Sequence, residues 1–170
     1  MRQRTILPHT LARPPGLVYG ERVLDIGAGI RPMGWYPASE HVCVEPFGPY
    51  AEILRAAGFE VIQETALDAL HTLDDASFDA VYLLDVIEHM TREQGLAALE
   101  GACRVAARQV VVYTPDGFKA QDGDAWGLGG EHWQRHRSGW TAADFGAGWA
   151  VHPFTDEDGS RSLFAVWTRP

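Results

Sequence analysis

Asp25, Gly27 and Gly29 close the apolar run Val23-Leu24-Asp25-Ile26-Gly27-Ala28-Gly29, and Glu45 closes a second run, His41-Val42-Cys43-Val44. A strand that ends in an acid and two alternate glycines feeds a tight turn, because glycine reaches positive φ and leaves no Cβ between backbone and ligand. The two acids are 20 residues apart, room for one crossover between neighbouring parallel strands. An acid at the end of the second strand is placed to accept both hydroxyls of a ribose. The rival reading of Asp25 and Glu45 is a pair of strand-end acids that bond to neighbouring backbone amides.

Further candidates lie downstream. Asp85 ends another apolar stretch and precedes Val86 and His89. It reads either as a ligand contact or as a helix cap, and His89 either as a general base or as a packed histidine. The run Glu131-His132-Trp133-Gln134-Arg135-His136-Arg137 places His132 and His136 at helical i, i+4 spacing, which two metal ligands would share. No third ligand stands nearby in sequence, so no metal is expected. His136 is instead a candidate base or acceptor-orienting group, and Arg135 and Arg137 are candidate partners for a carboxylate or phosphate. Those arginines also fit as mere partners of surface acids. Trp126, Trp133, Trp140 and Trp149 either line an apolar pocket or anchor a loop that has few other apolar residues. Tyr113 and Asp116 are pocket candidates by position alone.

Positioning these groups needs a sheet. Strand candidates at 22–26, 41–45, 60–63, 79–84, 109–113, 149–153 and 162–168 alternate with helical patterns through most of the chain, which predicts a parallel sheet with helices on both faces. The polar run 155–160 is too short for a helical crossover, so the last two strands should pair antiparallel. One helix should cover 50–57 and stop at Gly58. Another should start at a Thr91/Gln94 capping box and bury Leu96, Leu99, Cys103 and Ala106, with Gly95 and Gly101 weakening it. Residues 1–20, with Pro8, Pro14, Pro15 and Gly16, read as an irregular arm. Residues 21–170 read as one domain, with a glycine-rich, aromatic, lid-like insertion at about 114–140.

The 170 residues suffice for one core without metal or disulfide support. Cys43 and Cys103 read as small buried hydrophobes. A net charge of −9 argues against extended nucleic-acid binding and points to a small-molecule partner. No run approaches the ~20 apolar residues of a membrane span. Met1–Pro8 carries charge with no apolar run behind it, which argues against a secretory signal and makes the cytoplasm the expected compartment. Oligomeric state is not legible.

Together these features resemble the class I S-adenosylmethionine-dependent methyltransferases. The resemblance rests on 23–29 as the glycine-rich first motif, Glu45 as the ribose acid, Phe78-Asp79-Ala80-Val81-Tyr82-Leu83-Leu84-Asp85-Val86-Ile87-Glu88-His89 as the fourth-strand motif, and the terminal hairpin. The fourth-strand motif is similar to that of the small-molecule methyltransferase-domain group. The stretch 124–140 is similar to a little-characterised bacterial branch of it, which names no substrate. The resemblance implies a Rossmann-like, doubly wound, seven-stranded α/β sheet with an antiparallel C-terminal hairpin. It also implies S-adenosylmethionine as cofactor and methyl transfer to a small acceptor, at oxygen or nitrogen.

By the same resemblance, Gly27, Ala28 and Gly29 approach the cofactor's methionine part, and Asp25 orients the turn or takes the amino group. Glu45 meets the ribose, Thr65, Ala66 and Leu67 the adenine, and Asp85 and Val86 the cofactor's edge, with Pro46 among the cofactor contacts. His136 and His89 are the catalytic candidates; Tyr113, Trp126, Trp133, Arg135 and Arg137 are the substrate-binding ones. Two departures stand out. Arg31 replaces the usual third glycine and 31–37 cannot form the long helix that follows it, which leaves Trp35 or Tyr36 as covers for the pocket. Thr65 replaces the acid that meets the adenine amino group. The rival functions are a non-catalytic module that binds an adenosyl ligand and engages a partner, and a nucleotide-dependent oxidoreductase, whose first turn and ribose acid would look the same.

Overall fold

The computed structural model describes residues 11–170. The first half of the expected N-terminal arm, with the charged stretch that bears on a leader, lies outside the described residues. Residues 11–20 contain no helix or strand.

Seven strands form one sheet: β1 (Arg22–Ile26), β2 (Glu40–Val44), β3 (Glu60–Ile62), β4 (Phe78–Leu84), β5 (Ala106–Pro115), β6 (Trp149–Thr155) and β7 (Arg161–Thr168). Their order is β3-β2-β1-β4-β5-β7-β6. The first five are parallel, and β7 runs antiparallel to both β5 and β6. This is the expected Rossmann-like α/β sheet. Its chain direction reverses beside β1, where the path goes outward through β2 and β3 and then returns to β4. A crevice therefore opens at the carboxyl ends of β1 and β4.

Helices α1 (Gly48–Ala56), α2 (Ala66–Thr72), α3 (Arg92–Val105) and the short α4 (Glu131–Gln134) complete the described elements, with single 3₁₀ turns at Ile87–His89 and Ala142–Asp144. Sequence reading missed α2, because its seven residues carry too little periodicity to stand out. Its start is nevertheless encoded: Thr65 caps it by accepting from the Asp68 N–H at 3.2 Å.

The expected capping box of α3 is present, with Thr91 and Gln94 satisfying each other's backbone amides. The expected buried face is shifted. Leu96 is exposed and Ala106 already belongs to β5, while Gly95, Ala98, Leu99, Ala102 and Val105 face inward. The reason is Trp140, fully buried against the helix: a Cβ on Gly95 would lie 2.4 Å from its ring. Gly95 is there to admit an indole, and the same glycine that weakens the helix locally allows its closest packing.

The two faces of the sheet are covered differently. Leu24, Ile26, Val81, Leu83, Val110 and Val112 pack under α2 and α3. On the other face α1 covers β2 and β3 through Leu54, but no helix joins β1 to β2. Met33 and Trp35 cover Val23, Ala80, Tyr82, Leu84 and Val111 in its place, with Leu11 and Leu17 beside them. Trp35 is buried, its ring 5.8 Å from that of Tyr82 and 5.9 Å from that of Phe164, and the hydroxyls of Tyr36 and Tyr82 are 2.5 Å apart. The expectation that Trp35 or Tyr36 covers the pocket is therefore wrong. Both replace the missing helix on the sheet's far face, where burial of a large ring is worth more than it would be over a polar crevice.

Cys43 and Cys103 are free thiols, the first buried and the second half-buried, as expected. Among the described residues no helix is long and apolar enough to cross a membrane.

Candidate functional site

A cavity of about 720 Å³ lies at the carboxyl ends of β1, β2, β4 and β5. That is within the range of small-molecule sites. Gly27, Ala28, Gly29, Glu45, Pro46, Thr65, Ala66, Leu67, Asp85, Val86, His89, Tyr113, Trp126, Trp133 and Arg137 all border it. Asp25, Arg135 and His136 do not.

The glycine turn is built as its sequence requires. Gly27 and Gly29 have φ of +65° and +58°, in the left-handed region. Gly27 donates its N–H to the carbonyl of Val44 at 2.7 Å, tying the turn to β2. Glu45, 4% exposed, accepts from Gly29 N–H and from Phe47 N–H, each at 2.9 Å. Burial pushes its carboxyl up to about 7 against the pull of those two donors, and the neighbouring Asp25 adds to the rise. Each oxygen keeps a second lone pair.

Asp25 has turned inward. Its Oδ2 accepts from Met33 N–H at 2.6 Å and pairs with His41 Nε2 at 3.2 Å. Of the two roles expected of it, the geometry carries the orienting one: Asp25 holds the 27–33 turn against β2 and offers no open face to the cavity. Thr65 borders the cavity, but its hydroxyl donates to Asp68 Oδ2 at 2.7 Å and is spent on the helix cap.

Asp85 is exposed into the crevice at φ +65°. It caps nothing, since the turn that follows starts at Val86 without a side-chain cap. A carboxylate held in the left-handed region beside a cavity is the kind of local strain found at ligand sites. Asp116, in contrast, pairs with Arg161 at 2.8 Å outside the cavity.

The stretch 116–139 folds over the crevice, pinned by contacts that sequence reading did not find. Asp124 accepts from the N–H groups of Trp126, Leu128 and Gly130 and from the side-chain amide of Gln134. Burial opposes its ionisation, but the donors outweigh this and hold its carboxyl down at about 2. Gln134 also donates to the buried Tyr50 hydroxyl at 2.7 Å, joining the segment to α1. Trp126 lies edge-on to Tyr50, with ring centres 4.9 Å apart, and rests on the glycine turn: a Cβ on Gly29 would be 2.4 Å from its indole. The Asx-type pattern Asp-x-Trp-x-Leu-x-Gly was readable as a turn signal. Its partners Tyr50 and Gln134 were not, since they meet only through the fold.

The histidine expectations are rearranged. The helix α4 ends at Gln134, so His132 and His136 do not share a helical face. His136 is buried against His89, ring centres 4.8 Å apart, and its Nδ1 meets the Lys119 carbonyl at 2.6 Å. His132 borders the cavity and His136 does not. Arg135 points away toward Asp122 at 3.2 Å. Arg137 borders the cavity while its guanidinium donates to the carbonyls of His89 and His132. Burial lowers the pKa of His89.

No protein-family model and no curated protein sequence matches the chain significantly. Solved structures do. A SAM-dependent methyltransferase from Archaeoglobus fulgidus aligns over 88% of this chain and 86% of its own, at 13% identity and a TM-score of 0.62. Magnesium protoporphyrin IX methyltransferase from Synechocystis PCC 6803, solved with bound SAM, aligns over 87% of this chain and 70% of its own, at 16% identity and a TM-score of 0.58. The 1,6-didemethyltoxoflavin-N1-methyltransferase of Burkholderia thailandensis aligns over 86% of this chain and 70% of its own, at 13% identity and a TM-score of 0.58.

The chain has the class I methyltransferase fold. Within that fold its own features are the missing first crossover helix, replaced by Trp35, and the pinned 116–139 segment over the crevice. The second reaches the site, and of the first crossover Arg31 borders the cavity while Trp35 does not.

Proposed function

We propose that this chain transfers the methyl group of S-adenosylmethionine to a small-molecule acceptor at oxygen or nitrogen. The observation that carries the reading is Glu45: a buried carboxylate, oriented by Gly29 and Phe47, that faces a cavity of ligand size at the sheet's switch point with lone pairs to spare. Such a group suits the two hydroxyls of a ribose. The residues present fit the rest of an adenosyl ligand. Gly27 and Gly29 expose backbone where its amino-acid part would approach. Ala66 and Leu67 offer apolar contact for a base, and the hydroxyl of Thr65 is already taken.

The cofactor supplies an activated methyl group, so the protein's task is to align donor and acceptor and to keep water out. Trp126 and the Asp124 turn close the crevice above the glycines. The acceptor end falls between Tyr113, His89, Trp133 and Arg137. His136, walled off from the cavity, is removed from the direct candidates and His89 retained. Two of the neighbours are named for acting on magnesium protoporphyrin IX and on 1,6-didemethyltoxoflavin, and small molecules are likewise the acceptor class proposed for this cavity.

The test is calorimetric titration with S-adenosylmethionine, S-adenosylhomocysteine and NAD. Binding of the adenosyl ligands alone, lost in Glu45→Ala, supports the reading. Binding of NAD instead favours the oxidoreductase, and binding of none overturns the site.

A further inference from the structure

We infer that Glu88, His89 and His136, with Asp85 beside them, form a site for a divalent transition-metal ion in the wall of the cavity. Their potential ligand atoms, one from each of the three, lie within 4.8 Å of one another. Ligands on one ion at bonds of ~2.0–2.2 Å are separated by at most about 4.4 Å, so modest side-chain movement closes the shell.

Polar satisfaction supplies the independent observation. Among the described residues, two buried side-chain atoms lack any hydrogen-bond partner, Glu88 Oε1 and His89 Nδ1, and both belong to this cluster. Glu88 is 2% exposed; its other oxygen accepts from the Thr114 hydroxyl at 3.1 Å, and its carboxyl also meets that of Asp85, acid against acid. Orphaned buried acceptors are costly and rare. Asp85 also lies against His89, so a second carboxyl group crowds the same point. The guanidinium of Arg137 is committed to the carbonyls of His89 and His132.

His136 is held as a ligand would be. Its Nδ1–H donates to the Lys119 carbonyl, which leaves the Nε2 lone pair for the cluster. The clamp that brings it there is backbone: Arg137 and Ser138 donate their N–H groups to the Glu88 carbonyl at 2.7 and 3.2 Å. Two imidazoles with carboxylates suit Zn²⁺, Mn²⁺ or Fe²⁺ better than Mg²⁺ or Ca²⁺. A second group, Asp25, His41 and Cys43, has comparable spacing, but Asp25 already serves Met33 and His41 and no orphaned atom points into it.

Because His89 and Asp85 also border the cavity, an ion here would turn its open positions toward the acceptor end. On the methyl-transfer reading above, this selects acceptors with an oxygen able to bind a metal. The binding site itself does not depend on that reading.

The experiment uses the full chain stripped with chelator. It is titrated with Zn²⁺ by calorimetry and with Co²⁺ by visible absorption, and S-adenosylhomocysteine is titrated separately into the metal-free protein. One equivalent of each metal is expected to bind. Glu88→Gln and His136→Asn should each weaken binding by more than the ~10–100-fold typical of outer-shell changes, and His132→Ala should leave it unchanged. If Glu88→Gln does not fold, His136→Asn carries the comparison. Absence of stoichiometric binding, or binding indifferent to both variants, overturns the site. Metal failing while S-adenosylhomocysteine binds refutes this inference alone; the reverse refutes the cofactor reading alone.

Discussion

Replacing Glu45 with glutamine tests the cofactor site with the least disturbance of shape. The amide keeps one acceptor oxygen, so one of the two 2.9 Å bonds, from Gly29 or from Phe47, survives. The other N–H then faces an NH₂ group. Losing a hydrogen bond to a charged acceptor costs about 1.5–3 kcal/mol. Removing a carboxylate that burial has already pushed up to about 7 returns part of that. The free protein should therefore lose no more than ~1–2 kcal/mol of stability. Binding is hit harder. Ribose hydroxyls that donated to a carboxylate meet one neutral oxygen and one donor, a loss of ~3 kcal/mol, or about 100-fold in Kd. Calorimetric titration with S-adenosylhomocysteine reads the affinity, and thermal melting followed by circular dichroism checks the fold. A Glu45→Gln protein that melts normally and binds within about threefold of wild type would refute the assignment of Glu45 to the ligand.

Other outcomes follow from the same structure at Glu45, Asp124 and Gly95. Glu45 has a folded-state pKa raised to about 7, and ligand hydroxyls favour its charged form, so S-adenosylhomocysteine should bind more tightly as pH rises from ~6 to ~8 and should expel a proton. Titrations in buffers of different ionisation heat would show that release, and in the free protein the same group should lose stability as pH climbs from its unfolded value through about 7. Asp124, held at about 2, stabilises above the ordinary aspartate range and loses that contribution as pH falls toward 2. Asp124→Ala should loosen the 116–139 segment at a cost of ~1–2 kcal/mol, allowing for its partial exposure, and tryptophan fluorescence should report the change at Trp126; an unaltered spectrum and melt would contradict the pinning role. Finally, Gly95→Ala should destabilise by ~1–3 kcal/mol, because overpacking against Trp140 outweighs the ~1 kcal/mol gain in helix propensity, and a higher melting temperature would contradict the packing.

The elements and the glycine-turn side of the cavity were legible because their signals are local. Apolar runs of β-rich residues mark strands, the run 155–160 is too short for a crossover, and Thr91 with Gln94 makes a cap from residues three apart. The first turn needs glycines at positive φ whatever surrounds it, so its place after β1 was readable, as was Glu45 after β2. Local reading failed where a residue's surroundings come from distant segments. Asp25 and Glu45 look alike in sequence, yet Met33 and His41 engage the first and leave it closed, while the second faces the cavity. Trp35 looked like a pocket cover until the absent crossover helix left a sheet face for it to fill.

What the sequence by itself determined is a largely parallel sheet with an antiparallel terminal hairpin and the position of its glycine turn, since these follow from short-range backbone preference and hydrophobic pattern, whereas the strand order came only from the fold. Only the tertiary structure decided which chemical groups meet. The backbone clamp of Arg137 and Ser138 on Glu88, 49 and 50 residues apart in the chain, parts His136 from His132 and sets it beside His89. Such a pairing is chosen by the closing of a long loop on a buried polar surface, and no local pattern of residues records it.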